Sequence, residues 1–150
     1  MNGLSIRLLS GEEAGLAAEI ARACFSEPWT KEGFLSAVDN SHAIVLAAFY
    51  EGEMTGFLCG TAVCEEGTVD LLGVLPSFRH KGIARELLER FLAECRRRSV
   101  SRLSLEVRES NWPARELYYK MGFLPVGKRT GFYKQPEEDA LILAWEDFDT

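Results

Sequence analysis

No apolar run in the 150 residues approaches the roughly 20 that a membrane span requires. The opening stretch, Met1 to Arg7, also lacks the basic-then-apolar layout of a secretory signal. A cytoplasmic protein with no membrane partner is the expectation. The cysteines are few and unorganised: Cys24, Cys59, Cys64 and Cys95 form no Cys-x-x-Cys pair and have no histidines close by. Zinc and redox readings are therefore poor, no metal is expected, and buried, reduced thiols are the simpler reading. Cations are also outnumbered, with 17 Lys and Arg against 23 Asp and Glu and a net charge of -6. That balance works against nonspecific nucleic-acid binding, which needs clustered cations to displace counterions, and suits a basic peptide better. Repeats, low-complexity tracts and Pro/Ser-rich linkers are absent, so a single domain over residues 1 to 150 is expected. This length buries a core without disulfides, and the 47% hydrophobic and 27% charged shares fit an ordinary folded protein.

What is present reads as alternating strands and helices. Ser5 to Leu9 is a strand; Ser10 with Glu13 makes a capping box for a helix carrying Leu16, Ile20 and Cys24 on one face. A second helix runs from Thr30 to about Val38, and the apolar run Ala43 to Tyr50 is a buried strand. Glu51-Gly52-Glu53 turns tightly into Met54 to Cys64, predicting a hairpin. Thr68 to Leu75 is the next strand, stopped by Pro76, and Gly73 inside it suggests a bulge or a close approach to the backbone. From Gly82 to Arg98 apolar residues recur at three- and four-residue spacing opposite a charged face, which is the clearest helix in the chain. Arg96, Arg97 and Arg98 complement the negative end of its dipole and need no nucleic-acid explanation. A strand over Arg102–Arg108, a helix from Pro113 to Met121 closed by Gly122, and strands over Phe123–Tyr133 and Ala140–Trp145 complete the set. This order predicts an α/β fold, a mixed sheet of about seven strands flanked by about four helices on both faces. A parallel crossover through the long helix joins Thr68–Leu75 to Arg102–Arg108.

The segment Val74-Leu75-Pro76-Ser77-Phe78-Arg79-His80-Lys81-Gly82-Ile83-Ala84 runs from a strand end through a basic turn into that helix. Such a turn offers free backbone N–H groups to an anion, helped by the positive end of the helix dipole. Gly82 removes a side chain that would block close approach, while Arg79, His80 and Lys81 add charge. The spacing is neither that of a dinucleotide fingerprint nor that of a Walker A loop. By itself it reads equally as an anion site or as a plain strand-to-helix turn.

With its neighbours the segment becomes specific. Arg79-x-x-Gly82-x-Ala84 after Val74-x-Pro76 resembles the acyl-CoA pyrophosphate loop of the GNAT acetyltransferase superfamily. Leu105-Glu106-Val107-Arg108-Glu109-Ser110-Asn111 and Leu117-Tyr118-Tyr119-Lys120-Met121-Gly122-Phe123 resemble its later motif, closely that of the ribosomal-protein alanine N-acetyltransferases. Phe25-Ser26-Glu27-Pro28-Trp29-Thr30 is similar to that subgroup's substrate-side loop. The likeness is strong from Val69 to Phe123 and weaker toward either end.

The resemblance implies a GNAT fold with acetyl-CoA as cosubstrate, held by the backbones of Leu72, Gly73 and Val74 and by Arg79, His80, Lys81, Gly82, Ile83, Ala84 and Asn111. It makes Glu106 the general base and Tyr118 the general acid. Both roles are chemically sound. An amine must lose its proton before attacking a thioester, which calls for a carboxylate in reach, and the departing thiolate needs a proton that a tyrosine can donate. A backbone N–H aimed at the thioester oxygen would stabilise the tetrahedral intermediate. Two alternatives stay open: Tyr118 shares a helical face with Ala114, Leu117 and Met121 and so reads also as core, and Asn111 reads also as a helix cap.

The subgroup likeness points to the N-terminal α-amine of a protein, the alanine of a small-subunit ribosomal protein. An α-amine, with a reference pKa near 8, is also easier for a lone glutamate to deprotonate than lysine at about 10.4. Phe132 departs from the subgroup's Arg-x-x-Tyr-Tyr stretch, which bears on fine substrate selectivity. Competing readings are a GNAT enzyme for lysines or small amines and a noncatalytic acyl-CoA-binding regulator; the presence of both Glu106 and Tyr118 disfavours the regulator.

Overall fold

The computed structural model describes residues 3–146. Along the chain these form β1 (Leu4–Leu8), α1 (Ala14–Cys24), α2 (Lys31–Val38), β2 (Ala43–Tyr50), β3 (Glu53–Val63), β4 (Glu66–Val74), α3 (Ile83–Arg97), β5 (Arg102–Arg108), α4 (Trp112–Lys120), β6 (Leu124–Lys134) and β7 (Glu137–Glu146). The strands make one mixed sheet in the order β1-β2-β3-β4-β5-β7-β6. Both the element order and the parallel β4–β5 crossover match the expectation from sequence. The hairpin at Glu51-Gly52 is tight because both residues take positive φ, 51° and 85°, the pairing that suits a two-residue turn. No helix among the described residues is long and apolar enough to cross a membrane.

The sheet separates two cores. On one face α3 places Ile83, Leu87, Leu88 and Phe91 against Leu46, Leu58, Leu103 and Leu105, with Tyr118 and Phe123 closing the end. On the other, α1 and α2 cover Val45, Ala47, Phe57 and Cys59. That second layer stops at β4, so beyond it β5, β7 and β6 present an uncovered face carrying Ser104, Glu106 and Arg108.

Four local expectations need correction. The face that α1 buries is Ala14, Ala17, Ala18, Ile20 and Ala21, whereas Leu16 is 49% exposed. Small residues let α1 sit close to the sheet, and the larger leucine has no room there. The Ser10–Glu13 pairing exists, with the Ser10 N–H donating to Glu13 Oε1 at 3.0 Å, but it opens a 3-10 turn that precedes α1. Of the four free cysteines only Cys59 and Cys95 are buried; Cys24 is partly covered and Cys64 is exposed. The fourth correction concerns the bulge. β3 and β4 shift register between Cys59 and Gly60, which pair with Leu71 and Val69 and leave Asp70 as the extra residue. The bulge therefore sits at Asp70, not at Gly73.

Candidate active site

The Asp70 bulge sets the geometry of everything downstream on β4. It reverses side-chain parity, so Leu72 and Val74 join the α3 core while Leu71 packs with α1 and α2. Gly73 then faces the end of α1, where a Cβ would come within 3.2 Å of Phe25, 3.3 Å of the Cys24 sulfur and 3.3 Å of Phe57. A side chain there would force all three neighbours to give by a few tenths of an ångström.

β4 and β5 pair in parallel from Glu66–Val69 to Arg102–Leu105 and then part, although both strands continue. A crevice opens at their carboxyl ends, the place where ligands bind in open α/β sheets. The Leu75 N–H donates to the Thr55 carbonyl of β3 at 2.8 Å, which fixes the alternation of the β3–β4 ladder. Gly73, paired with Phe57, turns its backbone to β3; Leu72 and Val74 turn theirs to the crevice. The Val74 carbonyl is already engaged, accepting from Arg79 Nε at 3.0 Å and Cys24 Sγ at 3.4 Å. This leaves the Val74 N–H and the backbone groups of Leu72 directed at the gap.

The basic loop closes one end of the crevice. Pro76–Phe78 forms a single 3-10 turn, and then His80 and Gly82 both take positive φ, 65° and 82°. Gly82 is the N-cap of α3 and accepts at its carbonyl from Glu86 N–H. Among the described residues, no backbone carbonyl accepts from the N–H groups of residues 80 to 85. They point outward at the positive end of a 15-residue helix, which suits a pyrophosphate. The residues of this loop contribute differently. Ile83 is buried at 1% exposure and offers only its backbone, His80 and Lys81 are exposed, and Arg79 is folded back onto Val74. The Arg79 guanidinium thus ties the loop to the strand end.

Glu106 is the first β5 residue past the last β4–β5 pair, on the uncovered face. Its Oε1 lies 3.2 Å from Arg129 Nε of β6, with the glutamate side chain 33% exposed. Tyr118 approaches from the opposite face, buried on α4 with its ring edge-on to Phe123 at 5.6 Å. Glu106 and Tyr118 therefore meet only through the gap between β4 and β5. The Tyr118 hydroxyl has no hydrogen-bond partner among the described residues, yet no buried side-chain polar atom is left unsatisfied. The hydroxyl therefore keeps some accessible surface. Burial, and secondarily the nearby Tyr133, push its pKa up, so it stays protonated. Asn111 caps α4, its Oδ1 accepting from the Ala114 N–H at 3.3 Å, which leaves its amide NH₂ to donate elsewhere.

Several residues around Glu106 make contacts that the sequence does not specify. Tyr133 is pushed up to about 12, first by burial and then by the charge of Glu106. Arg108 lies over the Tyr133 ring at 4.4 Å and holds the β6–β7 turn by donating to the Pro136 carbonyl at 2.8 Å and to Glu138 at 3.3 Å. In the same hairpin, β6 slips between Arg129 and Tyr133, and Asp139 fixes the slip by accepting from the Gly131 N–H at 2.8 Å. Alternation along β5 carried a signal for Arg108, two residues from Glu106 on the same face. Arg129 belongs to the stretch that resembles Arg-x-x-Tyr-Tyr, but its contact with Glu106 had no signal, because β7 lies between it and β5.

Comparison with known proteins gives the family and the fold. Residues 16–123 match the model of the acetyltransferase (GNAT) family. The chain is 33% identical over 146 residues to the ribosomal protein bS18-alanine N-acetyltransferase of Salmonella typhimurium, covering 96% of this chain and 97% of the relative. It superposes on the crystal structure of the ribosomal-protein-S18-alanine N-acetyltransferase from Escherichia coli with a TM-score of 0.88 at 30% identity, over 95% of this chain and 93% of that one. It shares its fold with Ard1 from Thermoplasma volcanium, with a TM-score of 0.89 at 23% identity over 98% of this chain and 99% of that one.

Proposed function

This chain belongs to the GNAT acetyltransferase family, and on that footing we propose that it moves the acetyl group of acetyl-CoA onto the N-terminal α-amine of a protein. The favoured acceptor is the N-terminal alanine of a small-subunit ribosomal protein. The observation that carries this reading is the near full-length likeness, at 30 to 33% identity, to relatives named for alanine N-acetylation of ribosomal protein bS18.

Acetyl-CoA supplies the activated acyl group, and the residues around the crevice suit it. The unbonded N–H groups of residues 80 to 85 would take the pyrophosphate, with Arg79 keeping the loop docked on Val74. The backbone of Leu72 and the Val74 N–H would align the pantetheine arm and the thioester, and the Asn111 NH₂ would donate to the same arm.

Glu106 would accept the proton of the incoming amine. It is exposed to the acceptor side, and Arg129 holds its carboxylate in place. Tyr118 would return a proton to the departing sulfur, a role that fits its burial and raised pKa because the neutral hydroxyl is the donating form. The base and the acid reach the gap from opposite faces, so each can meet its own atom without competing for the other's proton.

The test is acetylation by purified protein of an Ala-starting peptide that also contains lysine, beside the same peptide with a blocked N-terminus and beside spermidine. The proposal expects acetyl on the α-amine and little turnover of the other two. Equal or faster acetylation of spermidine or of the blocked peptide would overturn it.

A further inference from the structure

The Asp70 bulge creates a feature that acetyl transfer at Glu106 does not use. Asp70 follows the last β4–β5 pair just as Glu106 does, and its carboxylate accepts from the Thr68 hydroxyl at 2.7 Å. Thr68 pairs with Ser104, two residues before Glu106, so Asp70 and Glu106 stand on the same side of the sheet on neighbouring strands, Asp70 beside α2 and Glu106 beyond it. The second Asp70 oxygen accepts from the Thr61 hydroxyl at 2.8 Å. Two neutral donors thus fix the carboxylate without neutralising it.

Three other carboxylates near the acceptor face are paired. Glu106 lies against Arg129, Glu109 against Lys128 at 2.7 Å, and Glu138 against Arg108 at 3.3 Å. Among the described residues, Asp70 has no cationic partner. It also lines a cavity of about 200 Å³ between α2 and the β2–β4 part of the sheet. Trp29 forms an aromatic wall of this cavity, and Ser36, Asn40 and Thr61 add polar groups. An aromatic face, an oriented free carboxylate and neutral hydrogen-bonding groups form a chemical environment suited to guanidinium or ammonium.

We propose that this cavity is a specificity subsite for a basic side chain, Arg or Lys, close behind the acetylated residue of the acceptor peptide. The proposal rests on the N-terminal reading above. Adjacent strands lie about 5 Å apart, so a peptide with its α-amine at Glu106 brings the side chain of its second or third residue to Asp70. Asp70 bears the charge that selects it, and Trp29 packs on its stem or guanidinium.

The experiment compares kcat/KM for Ala-starting peptides that differ only in Arg, Gln or Glu at positions 2 and 3, using wild type, D70N and D70K. Wild type is expected to prefer an Arg peptide, and D70N to lose roughly three- to tenfold on that peptide with little change on the Gln peptides, as expected for one partly exposed ion pair. D70K should invert the preference toward a Glu-containing peptide, a gain that a merely misfolded variant does not produce. Equal losses on the Arg and Gln peptides, or no Arg preference in wild type, would overturn the subsite. A wild-type protein that acetylates neither peptide but does acetylate spermidine would overturn the N-terminal reading, and the peptide subsite with it.

Discussion

Glu106 Oε1 stands 3.2 Å from Arg129 Nε, a contact made across β7 where Ala140 gives the arginine room to pass. Arg129 is paired with Ala140 and Glu106 with Ile142, so the ion pair runs diagonally over the intervening strand. The side chains are 57% and 33% exposed, which makes this a positioning contact worth little in stability. Replacing Arg129 with Gln should lower kcat about fivefold and leave KM for acetyl-CoA unchanged, with Lys restoring part of the loss. Steady-state kinetics on the three proteins checks this; an unchanged kcat for Arg129→Gln would remove Arg129 from the account.

Tyr118→Phe keeps the ring against Phe123 and removes only the hydroxyl. Because that hydroxyl has no hydrogen-bond partner among the described residues, stability should change by less than about 0.5 kcal/mol. Turnover should fall about a hundredfold if the hydroxyl donates the proton to the leaving sulfur. Paired melting curves and single-turnover rates separate the two effects; a stable variant with undiminished turnover would make Tyr118 a core residue only.

Arg79→Ala removes the Nε bond to the Val74 carbonyl and frees the loop from the strand end. One hydrogen bond of this kind contributes about 1 kcal/mol, so the Kd for CoA should rise about fivefold. Calorimetric titration of CoA reads it. An increase of a hundredfold or more would mean that the guanidinium contacts the phosphates directly.

The fold also holds a pH-dependent clamp away from the site. A hydrogen bond from Arg7 lowers the Glu13 pKa to about 2 from its ordinary 4.5. A depressed carboxylate pKa stabilises the fold above the unfolded value, and the contribution is lost as pH falls from about 4.5 toward 2. Arg7 is half exposed, so solvent screens the pair and the contribution is small. Urea unfolding should therefore find Arg7→Ala slightly less stable than wild type at pH 7, with the gap narrowing as pH falls from about 4.5 toward 2. A gap that is constant with pH would show that Arg7 acts through packing on Phe49, over whose ring it lies at 4.3 Å.

Elements were legible in the sequence where local chemistry decides them. Pro76 ends β4, Gly82 opens α3, and the three- and four-residue recurrence from Ile83 to Cys95 buries one face of a single long helix. Glu106 was legible because alternation along β5 needs no partner strand. Contacts that depend on strand order were not. β6 lies two strands from β5, so no spacing in the sequence predicts that Arg129 meets Glu106. Glycine is the usual marker of a bulge and Gly73 points to one, but Asp70 occupies it, held by two threonine hydroxyls that donate to its carboxylate. Gly73 answers to a different constraint, the approach of Cys24 and Phe25 from the end of α1.

The central claim, transfer of acetyl to an N-terminal alanine with Glu106 as base, is tested most directly by mass spectrometry of ribosomal proteins from cells that lack this chain and are complemented with wild type or with Glu106→Gln. The account predicts that one small-subunit protein loses its N-terminal acetyl group, that wild type restores it and that Glu106→Gln does not. N-terminal acetylation that is unchanged in all three strains, or fully restored by Glu106→Gln, would contradict it.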